Sequence, residues 1–193
     1  RCAILNRGKL IDVLDVKTTS TRTMANLMVG RTVNFEVEKE APKFGDVVLD
    51  VKNLTVRNED KFDVVKNVSF SIHAGEVFAI AGVSGNGQVE IADAIAGLLK
   101  ADSGSIVLNG RDITHESIRT RTEAGISYIP EDRQSYGLVM DFSLEENMAM
   151  KTYYKEPFCK KGILQPKEFT KDSDQLIEKY DVRSGQGRTN VVR

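Results

Sequence analysis

Cysteine and histidine are scarce in this sequence, which limits the sites that they could build. The 193 residues include two cysteines, Cys2 and Cys159, and two histidines, His73 and His115, and no pair of them has a metal-ligand spacing. Two cysteines this far apart do not make a disulfide scaffold either. We interpret both as free thiols in a reducing compartment, and we predict no metal site and no Cys–His nucleophile.

Net charge and long hydrophobic runs are lacking as well. The formal net charge is −1, so no overall field recruits nucleic acid or an anionic membrane. The longest apolar stretch, around residues 77–83, is too short to cross a bilayer. No secretory signal is visible, and the chain begins at Arg1 without a methionine, so we expect it to be cut from a longer protein.

The N-terminal part of the chain predicts a small appendage followed by a linker. Residues 2–14 hold two short apolar runs around an Asn-Arg-Gly turn, which indicates a hairpin. Residues 20–30 have apolar side chains at helical spacing and end at Gly30, which indicates a helix. A charged stretch with Pro42 and Gly45 follows, as is typical of a linker. Residues 1–35 are too few to bury a core alone.

From residue 47 onward the pattern predicts an α/β domain. Residues 47–56 and 64–72 alternate apolar and polar side chains, as half-buried antiparallel strands do. The uniformly apolar EVFAIAG predicts a central strand covered on both faces, and GISYIP a further short buried strand. The other predicted elements are a helix over 88–99 whose apolar face holds Ile91, Ala92, Ile95, Leu98 and Leu99, a strand with an Asn109-Gly110 turn over 103–113, and helices over 116–124, 142–151 and 166–180. This order is typical of a nucleotide-binding α/β fold with a β-rich entry, a β-loop-α core and the start of a helical subdomain.

The turn between the central strand and its helix, GVSGNGQVE, carries the candidate site. In a phosphate-binding loop the backbone N–H groups face the phosphate, and glycines permit the tight turn. A lysine and a Ser or Thr normally complete the loop by holding phosphate and Mg²⁺, but Gln88 and Val89 stand at those positions. The loop alone predicts a phosphate cradle with poor catalysis, and a plain strand-to-helix turn is the alternative. The candidate nucleotide-binding residues are Gly82, Val83, Ser84, Gly85, Asn86, Gly87, Gln88 and Val89.

The sequence around this loop resembles the ATP-binding subunits of ABC transporters over nearly the whole chain. VSFSIHAGEVFAIAG is similar to the run into a Walker A loop, and GLLKADSGSIVLNGRDI to the segment after its helix. The GNGQ form of the loop and the later PEDR are similar to the second domain of the tandem ATPase subunits of sugar and nucleoside importers. The resemblance implies a P-loop NTPase-like ABC nucleotide-binding domain that binds ATP. It implies that Mg²⁺ is bound in the parent protein and that Mg²⁺ binding at this site is weak or absent.

On this resemblance the chain has three parts. Residues 1–35 are expected to be the tail of a preceding ATP-binding domain, 36–46 a linker, and 47–193 an incomplete second domain. Glu131 falls at the Q-loop position, where the family has a glutamine that touches Mg²⁺ and the attacking water. A carboxylate there repels the γ-phosphate, which favours a non-catalytic site.

Several parts of the family's ATPase site have no counterpart in the sequence. No Walker B strand ending in Asp-Glu follows the Q-loop region, and no switch histidine is present. ISYIPED imitates Walker B at the wrong place, and SGQG at 184–187 imitates the signature motif in the wrong order. The adenine-stacking aromatic is missing, and Phe62 is a weak substitute. We therefore predict no catalytic residues and no turnover by this chain, although we expect the parent to be a transport ATPase.

The predicted function is part of the ATP-binding subunit of an importer of sugars or nucleosides. The expected partners are the transmembrane permease subunits, the first ATP-binding domain of the same chain and, indirectly, a solute-binding protein, at the cytoplasmic face of the plasma membrane. One alternative is a non-hydrolytic, nucleotide-binding or structural partner domain. The other is a nucleic-acid-binding module that uses the basic and aromatic residues of 151–162, which the net charge of −1 disfavours.

Overall fold

The structure, a computed structural model, describes residues 1–32, 41–58 and 60–184. The chain divides into two compact units, Arg1–Asp46 with Ala74–Val77, and Val47–His73 with Phe78–Arg193. In chain order the elements are β1 (Cys2–Asn6), β2 (Lys9–Leu14), α1 (Thr21–Val29), β3 (Val47–Arg57), β4 (Asp63–His73), α2 (Gln88–Ala96), β5 (Ser103–Leu108), β6 (Arg111–Asp112), α3 (Ile118–Glu123), a π-helical turn (Arg133–Gly137), α4 (Leu144–Ala149), β7 (Cys159–Lys160), β8 (Ile163–Leu164) and α5 (Pro166–Lys179).

The first unit contains the predicted hairpin and helix, and both are confirmed. Strands β1 and β2 pair antiparallel, and the turn between them places Arg7 at φ 48° and Gly8 at φ 76°. Helix α1 begins after Ser20, whose side chain accepts a hydrogen bond from Thr23 N, and it ends at Gly30 in the left-handed conformation. Residues 36–40 of the predicted linker lie outside the described residues.

The second unit is built on an antiparallel sheet with the strand order β4-β3-β5-β6. The predicted alternation of residues 47–56 and 64–72 is confirmed, because one face of β3 and β4 is buried and the other is solvated. The predicted turn after β5 is also confirmed, with Asn109 at φ 50° and Gly110 at φ 78°. The buried cluster under the sheet consists of Val51, Leu54, Val56, Val65, Ile91, Ala94, Ile106 and Ile113.

Helix α2 packs on this cluster but is shorter than predicted. Ile91 and Ala94 are buried in the core, whereas the helix ends at Gly97, which adopts φ 88°. A left-handed glycine terminates a helix because the following residues can no longer continue its hydrogen bonds. Leu98 and Leu99 therefore lie beyond the helix, and Leu98 is 47% exposed instead of buried on its apolar face.

Two predicted strands do not form. The segments EVFAIAG (76–82) and GISYIP (125–130) have no ladder with any described residue, and Ile80 and Ile129 are 44% and 84% exposed. A buried central strand needs neighbours on both edges to pair its backbone N–H and C=O groups. The described strands pair as β1-β2, β4-β3-β5-β6 and β7-β8, and neither segment joins one of these sheets.

The C-terminal part of the described chain is helical, as predicted. Helix α4 has the predicted capping box between Ser143 and Glu146, and α5 has Pro166 at its first position. The short β7–β8 hairpin between them was not predicted. Within residues 1–32, 41–58 and 60–184, no helix combines the length and hydropathy that a membrane span requires.

Candidate functional site

The glycine loop, residues 82–89, connects segment 78–81, which forms no ladder with a described strand, to helix α2. Gly85 and Gly87 adopt φ values of 86° and 94°, which L-residues with a side chain rarely adopt. A Cβ atom added at Gly85 would meet no atom within 4 Å, so the tip of the loop is open. The loop therefore combines left-handed backbone with free space in front of it, as a backbone cradle for an anion requires.

Gly87 is required for a second reason, which is close packing. A Cβ atom at this position would lie 2.6 Å from the carbonyl oxygen of Val64 and 3.4 Å from a methyl group of Val65. Strand β4 therefore passes directly against the end of the loop. This contact fixes the exit of the loop on the sheet.

The loop leads straight into the N-terminus of α2. Gly87 is the N-cap residue, and no side chain caps the first turn of the helix. The first N–H groups of a helix have no partner within the helix, and the helix dipole makes them attractive to an anion. Glu90 is the acidic residue of this turn, so part of that positive field is already balanced. The arrangement can hold a phosphate group through backbone N–H groups.

Gln88 and Val89 do not reproduce the lysine and hydroxyl of a complete phosphate loop. Gln88 Nε2 donates a hydrogen bond to the carbonyl oxygen of Val83 at 3.2 Å, within the loop itself. Val89 is 40% exposed and has no oxygen that could bind a metal ion. The loop therefore fits a phosphate but does not fit Mg²⁺ held in the usual way.

Glu131, at the predicted Q-loop position, follows a segment that is anchored on α2. It is exposed, and three residues earlier the hydroxyl of Tyr128 donates a hydrogen bond to Asp93 Oδ1 at 2.6 Å. Burial, the bond to Asp93 and the negative charge of Glu131 raise the pKa of Tyr128 to about 12. This bond ties the Glu131 segment to the helix that leaves the loop.

Arg121 holds the other end of α2. It is 3% exposed, and its Nη1 atom donates hydrogen bonds to the carbonyl oxygens of Ala94 at 2.7 Å and Ile95 at 2.8 Å. Its Nη2 and Nε atoms donate to the carbonyl oxygens of Thr114 at 2.8 Å and Glu116 at 3.0 Å. Burial lowers the pKa of the guanidinium, which stays charged as arginine does in proteins. One cation therefore satisfies carbonyl groups that a helix end leaves unpaired.

Sequence reasoning identified the loop but missed these two anchors. Arg121 and Ala94 are 27 residues apart in the chain, and Tyr128 and Asp93 are 35 apart. No spacing rule relates residues at such distances. The sequence placed Arg121 in a short helix. Its neighbours there are mostly polar, so they gave no indication that Arg121 is buried.

In segment 151–162, the rings of Tyr154 and Phe158 are engaged within the chain, whereas Tyr153 is 43% exposed. Arg119 covers the ring of Tyr154 at 4.2 Å from its centroid, and the Tyr154 hydroxyl donates a hydrogen bond to Glu123 at 2.8 Å. Phe158 stacks on Phe169 of α5, with ring centroids 5.4 Å apart. Base stacking would need these ring faces to be exposed.

A cleft of about 690 Å³ lies in the second unit, and none of its lining residues belongs to the glycine loop. Its walls are largely apolar and include Tyr128, Tyr136, Tyr153 and Tyr154, with Arg119 and Arg133 among the charged side chains. The cleft is therefore a feature separate from the candidate phosphate site.

The remaining predicted positions are placed as follows. Phe62, in the β3–β4 connection, is 70% exposed, and its role in stacking stays a prediction. Of the signature-like residues 184–187, only Ser184 belongs to the described residues. In the described ranges, no group of three or more His, Cys, Asp and Glu side chains could hold a metal ion, and Cys2 and Cys159 are free thiols.

Comparison with protein families and curated proteins places the sequence among transport ATP-binding proteins. The family described as ABC transporter matches residues 65–190. The guanosine import ATP-binding protein NupO of Bacillus subtilis is 44% identical over 99% of the chain and 38% of the relative. The nucleoside import ATP-binding protein NupA of Lactococcus lactis is 42% identical over 95% of the chain and 36% of the relative. The glucose import ATP-binding protein TsgD13 of Haloferax volcanii is 37% identical over 100% of the chain and 35% of the relative. The chain thus spans little more than a third of the length of these relatives.

Comparison with solved structures confirms the predicted α/β fold class. The crystal structure of a nucleotide-free ATP-binding cassette from an ABC transporter matches with a TM-score of 0.55 over 76% of this chain and 58% of that chain, at 20% identity. At this identity the likeness concerns the fold alone. Over the matched part, the chain therefore shares the fold of an ATP-binding cassette.

Proposed function

The chain belongs to the ABC transporter family, and we propose that it forms part of the ATP-binding subunit of an importer of nucleosides or sugars. The observation that carries the proposal is the glycine loop, in which Gly85 and Gly87 adopt left-handed conformations directly before the uncapped first turn of α2. We propose that the backbone N–H groups of residues 82–89 hold the phosphates of ATP.

The names of the relatives support the solute class. Two relatives at 44% and 42% identity are named as importers of guanosine and of nucleosides, whereas the glucose importer has 37%. A nucleoside is accordingly the solute class that we favour, with sugars as the alternative. The permease subunits that such an importer requires are the proposed partners, together with a preceding ATP-binding domain and, indirectly, a solute-binding protein. The proposed location is the cytoplasmic face of the plasma membrane.

We further propose that this site binds nucleotide without turning it over. Val89 offers no oxygen to Mg²⁺, and the carboxylate of Glu131 replaces the amide that the resemblance leads us to expect. A carboxylate near the γ-phosphate disfavours the charged ligand unless a metal ion intervenes. The chain would then serve as the non-hydrolytic partner of a competent domain in the same subunit.

The proposed organisation follows from the same family. Residues 1–35 would be the tail of a preceding ATP-binding domain, 36–46 a linker, and 47–193 part of a second domain. The relatives support this organisation, because nearly all of the chain aligns with only 38% of the guanosine importer protein. Determining the sequence of the gene on both sides of the chain tests it, and a Walker A loop with lysine upstream is the expected result.

Nucleotide titration of the purified chain tests the binding proposal. A fluorescent ATP analogue should bind weakly and saturably, be displaced by ATP, and gain little affinity from Mg²⁺. The double variant Gln88→Lys/Val89→Ser should bind roughly ten- to thirtyfold more tightly, because a charged donor and a metal ligand are restored. The control Gln175→Lys makes the same charge change at an exposed position of α5 and should have no effect.

Three other outcomes would contradict parts of this proposal. Strong Mg²⁺-dependent turnover by the chain would refute the non-hydrolytic assignment. Absence of binding by both the wild type and the repaired variant would show that the loop is not a nucleotide site. Salt-sensitive binding of a random oligonucleotide would instead support the nucleic-acid alternative.

A further inference from the structure

The side chain of Gln88 folds back across the glycine loop instead of pointing out of it as a free donor. Its Nε2 atom donates to the carbonyl oxygen of Val83 at 3.2 Å. A Cβ atom added at Gly82 would overlap Gln88 Nε2 and lie 3.0 Å from its Cδ atom. The amide therefore fills the space that any side chain at position 82 would occupy. Gly82 has no left-handed φ, so a side chain there would act by displacing the Gln88 amide and not by straining the backbone.

The entry half of the loop has little else to hold it. Val83 is 72% exposed, and a Cβ atom added at Gly85 would have no neighbour within 4 Å. Segment 78–81 has no ladder among the described residues. In the described part of the chain, the bond from Gln88 is the one side-chain hydrogen bond to residues 82–86. The exit half, in contrast, is fixed because Gly87 packs against the Val64 carbonyl.

We propose that Gln88 is a positioning residue that clasps the glycine loop, joining its loose entry half to its fixed exit half, and that Gly82 is kept free of a side chain to admit this clasp. The inference rests on the proposed nucleotide site and specifies how that site stays ordered without a lysine. A neutral amide can donate to a backbone carbonyl with little of the desolvation cost that a charged group carries. Its contribution to ATP affinity is then indirect, since it reduces the ordering that binding would otherwise require.

A double-mutant cycle between positions 82 and 88 tests the clasp. Gln88→Met keeps the length of the side chain but removes the donor, and Gly82→Ala displaces the amide without changing Gln88. Each single variant should weaken binding of the fluorescent ATP analogue about five- to tenfold, which corresponds to one lost hydrogen bond. Each should also speed amide hydrogen exchange of residues 83–87 in the absence of nucleotide. The double variant Gly82→Ala/Gln88→Met should bind the analogue no more weakly, and exchange no faster, than the more affected single variant.

Two further variants separate the clasp from a general loss of structure. Gln88→Lys keeps a donor that can reach the Val83 carbonyl, so the exchange rates of residues 83–87 should stay as in the wild type. Gly137→Ala adds a methyl group at another glycine without left-handed φ, where the nearest atom is 3.4 Å away, and it should change neither measurement.

The two measurements distinguish failure of the clasp from failure of the nucleotide site. Unchanged hydrogen exchange in Gln88→Met, or losses that multiply in the double variant, would overturn the clasp. Weaker binding in Gln88→Met with unchanged exchange would show that Gln88 contacts the nucleotide directly. If the wild type binds no nucleotide but the exchange cycle still shows coupling, the clasp stands and the proposed function fails.

Discussion

The two segments that flank the glycine loop differ in how they are packed. Helix α2, which follows the loop, buries Ile91 and Ala94 in the core. Segment 78–81, which precedes the loop, leaves Ile80 44% exposed and pairs with no described strand. The helix is bonded at its C-terminal end by Arg121 and along its length by Tyr128. In the entering segment, the described aromatic contact is the stacking of Phe78 on Phe70, with centroids 5.0 Å apart. Both segments are apolar, but only the helix buries side chains in the core.

This difference shows where the rigidity of the candidate site originates. A helix satisfies its own backbone groups and needs only one packed face, so the second unit can hold α2 with contacts of its own. A central strand depends on neighbouring strands for its hydrogen bonds. The loop is therefore held from its exit side, and the clasp by Gln88 transmits that order to its entry side.

The largest effect should come from removing the anchor of α2. Arg121→Ala removes the guanidinium donor from the carbonyl groups of Ile95, Thr114 and Glu116 and one of two donors from that of Ala94. We therefore expect the free energy of unfolding to fall by about 3–4 kcal/mol. Denaturant unfolding measures this change. Arg119→Ala, on the exposed side of the same helix, is the control and should cost less than about 1 kcal/mol. Equal effects of the two variants would show that the buried cap does not hold α2.

A matched pair of isoleucines compares the sheet with the entering segment directly. Ile106 on β5 is 0% exposed and Ile80 is 44% exposed. Ile106→Ala should cost about 3 kcal/mol because it removes buried methyl groups and leaves a cavity, whereas Ile80→Ala should cost less than about 1 kcal/mol. Chemical denaturation of both variants checks the ratio. A cost at position 80 equal to that at 106 would mean that the entering segment is buried after all.

A matched pair of glycines compares the exit and the tip of the loop. Both Gly85 and Gly87 have left-handed φ, but only Gly87 faces a close backbone atom, the Val64 carbonyl oxygen. Gly85→Ala should therefore cost about 1 kcal/mol through backbone strain alone. Gly87→Ala should cost about 2 kcal/mol or more, because β4 or the loop must also shift. Thermal unfolding of the two variants tests the order, and the reverse order would contradict the packing of the loop exit on β4.

The smallest effect concerns the bond between Tyr128 and Asp93. Tyr128→Phe removes one hydrogen bond and should lower the free energy of unfolding by about 1 kcal/mol. Because the folded pKa of Tyr128 is raised to about 12, the stabilisation is complete below the unfolded pKa of about 10 and is lost as the pH rises from there through the folded value. In an absorbance titration of the tyrosines, the transition with the highest pKa should be missing from Tyr128→Phe.

The variant Tyr180→Phe controls for removal of any tyrosine. Tyr180 is 65% exposed, and its replacement should leave the highest component of the titration in place. If that component survives in Tyr128→Phe, the Asp93 bond does not hold the segment that carries Glu131.

Local features of the structure could be predicted from the sequence, and features that depend on distant residues could not. The capping box of Ser143 and Glu146 and the Asn109-Gly110 turn use residues within three positions of each other, and both predictions are confirmed. The predicted strands at 76–82 and 125–130 are wrong for the described residues, because apolar composition identifies a segment suited to a sheet interior but cannot supply its partners.

The candidate site shows the same division. The glycines of the loop follow from their spacing, since turn geometry is local. The hydrogen bond from Gln88 to the Val83 carbonyl could not be predicted. The sequence shows only that a glutamine stands at this position, and its amide could equally donate to a phosphate or to the backbone. The contact of Gly87 with Val64 joins residues that no local pattern relates.

Amide hydrogen exchange of the wild-type chain with and without ATP tests the central claim most directly, since that claim assigns the phosphates to backbone N–H groups. We expect ATP to slow exchange at residues 84–88 and in the first turn of α2, equally with and without Mg²⁺. Slower exchange only elsewhere in the chain, or none at saturating ATP, would contradict the assignment of the glycine loop as the nucleotide site.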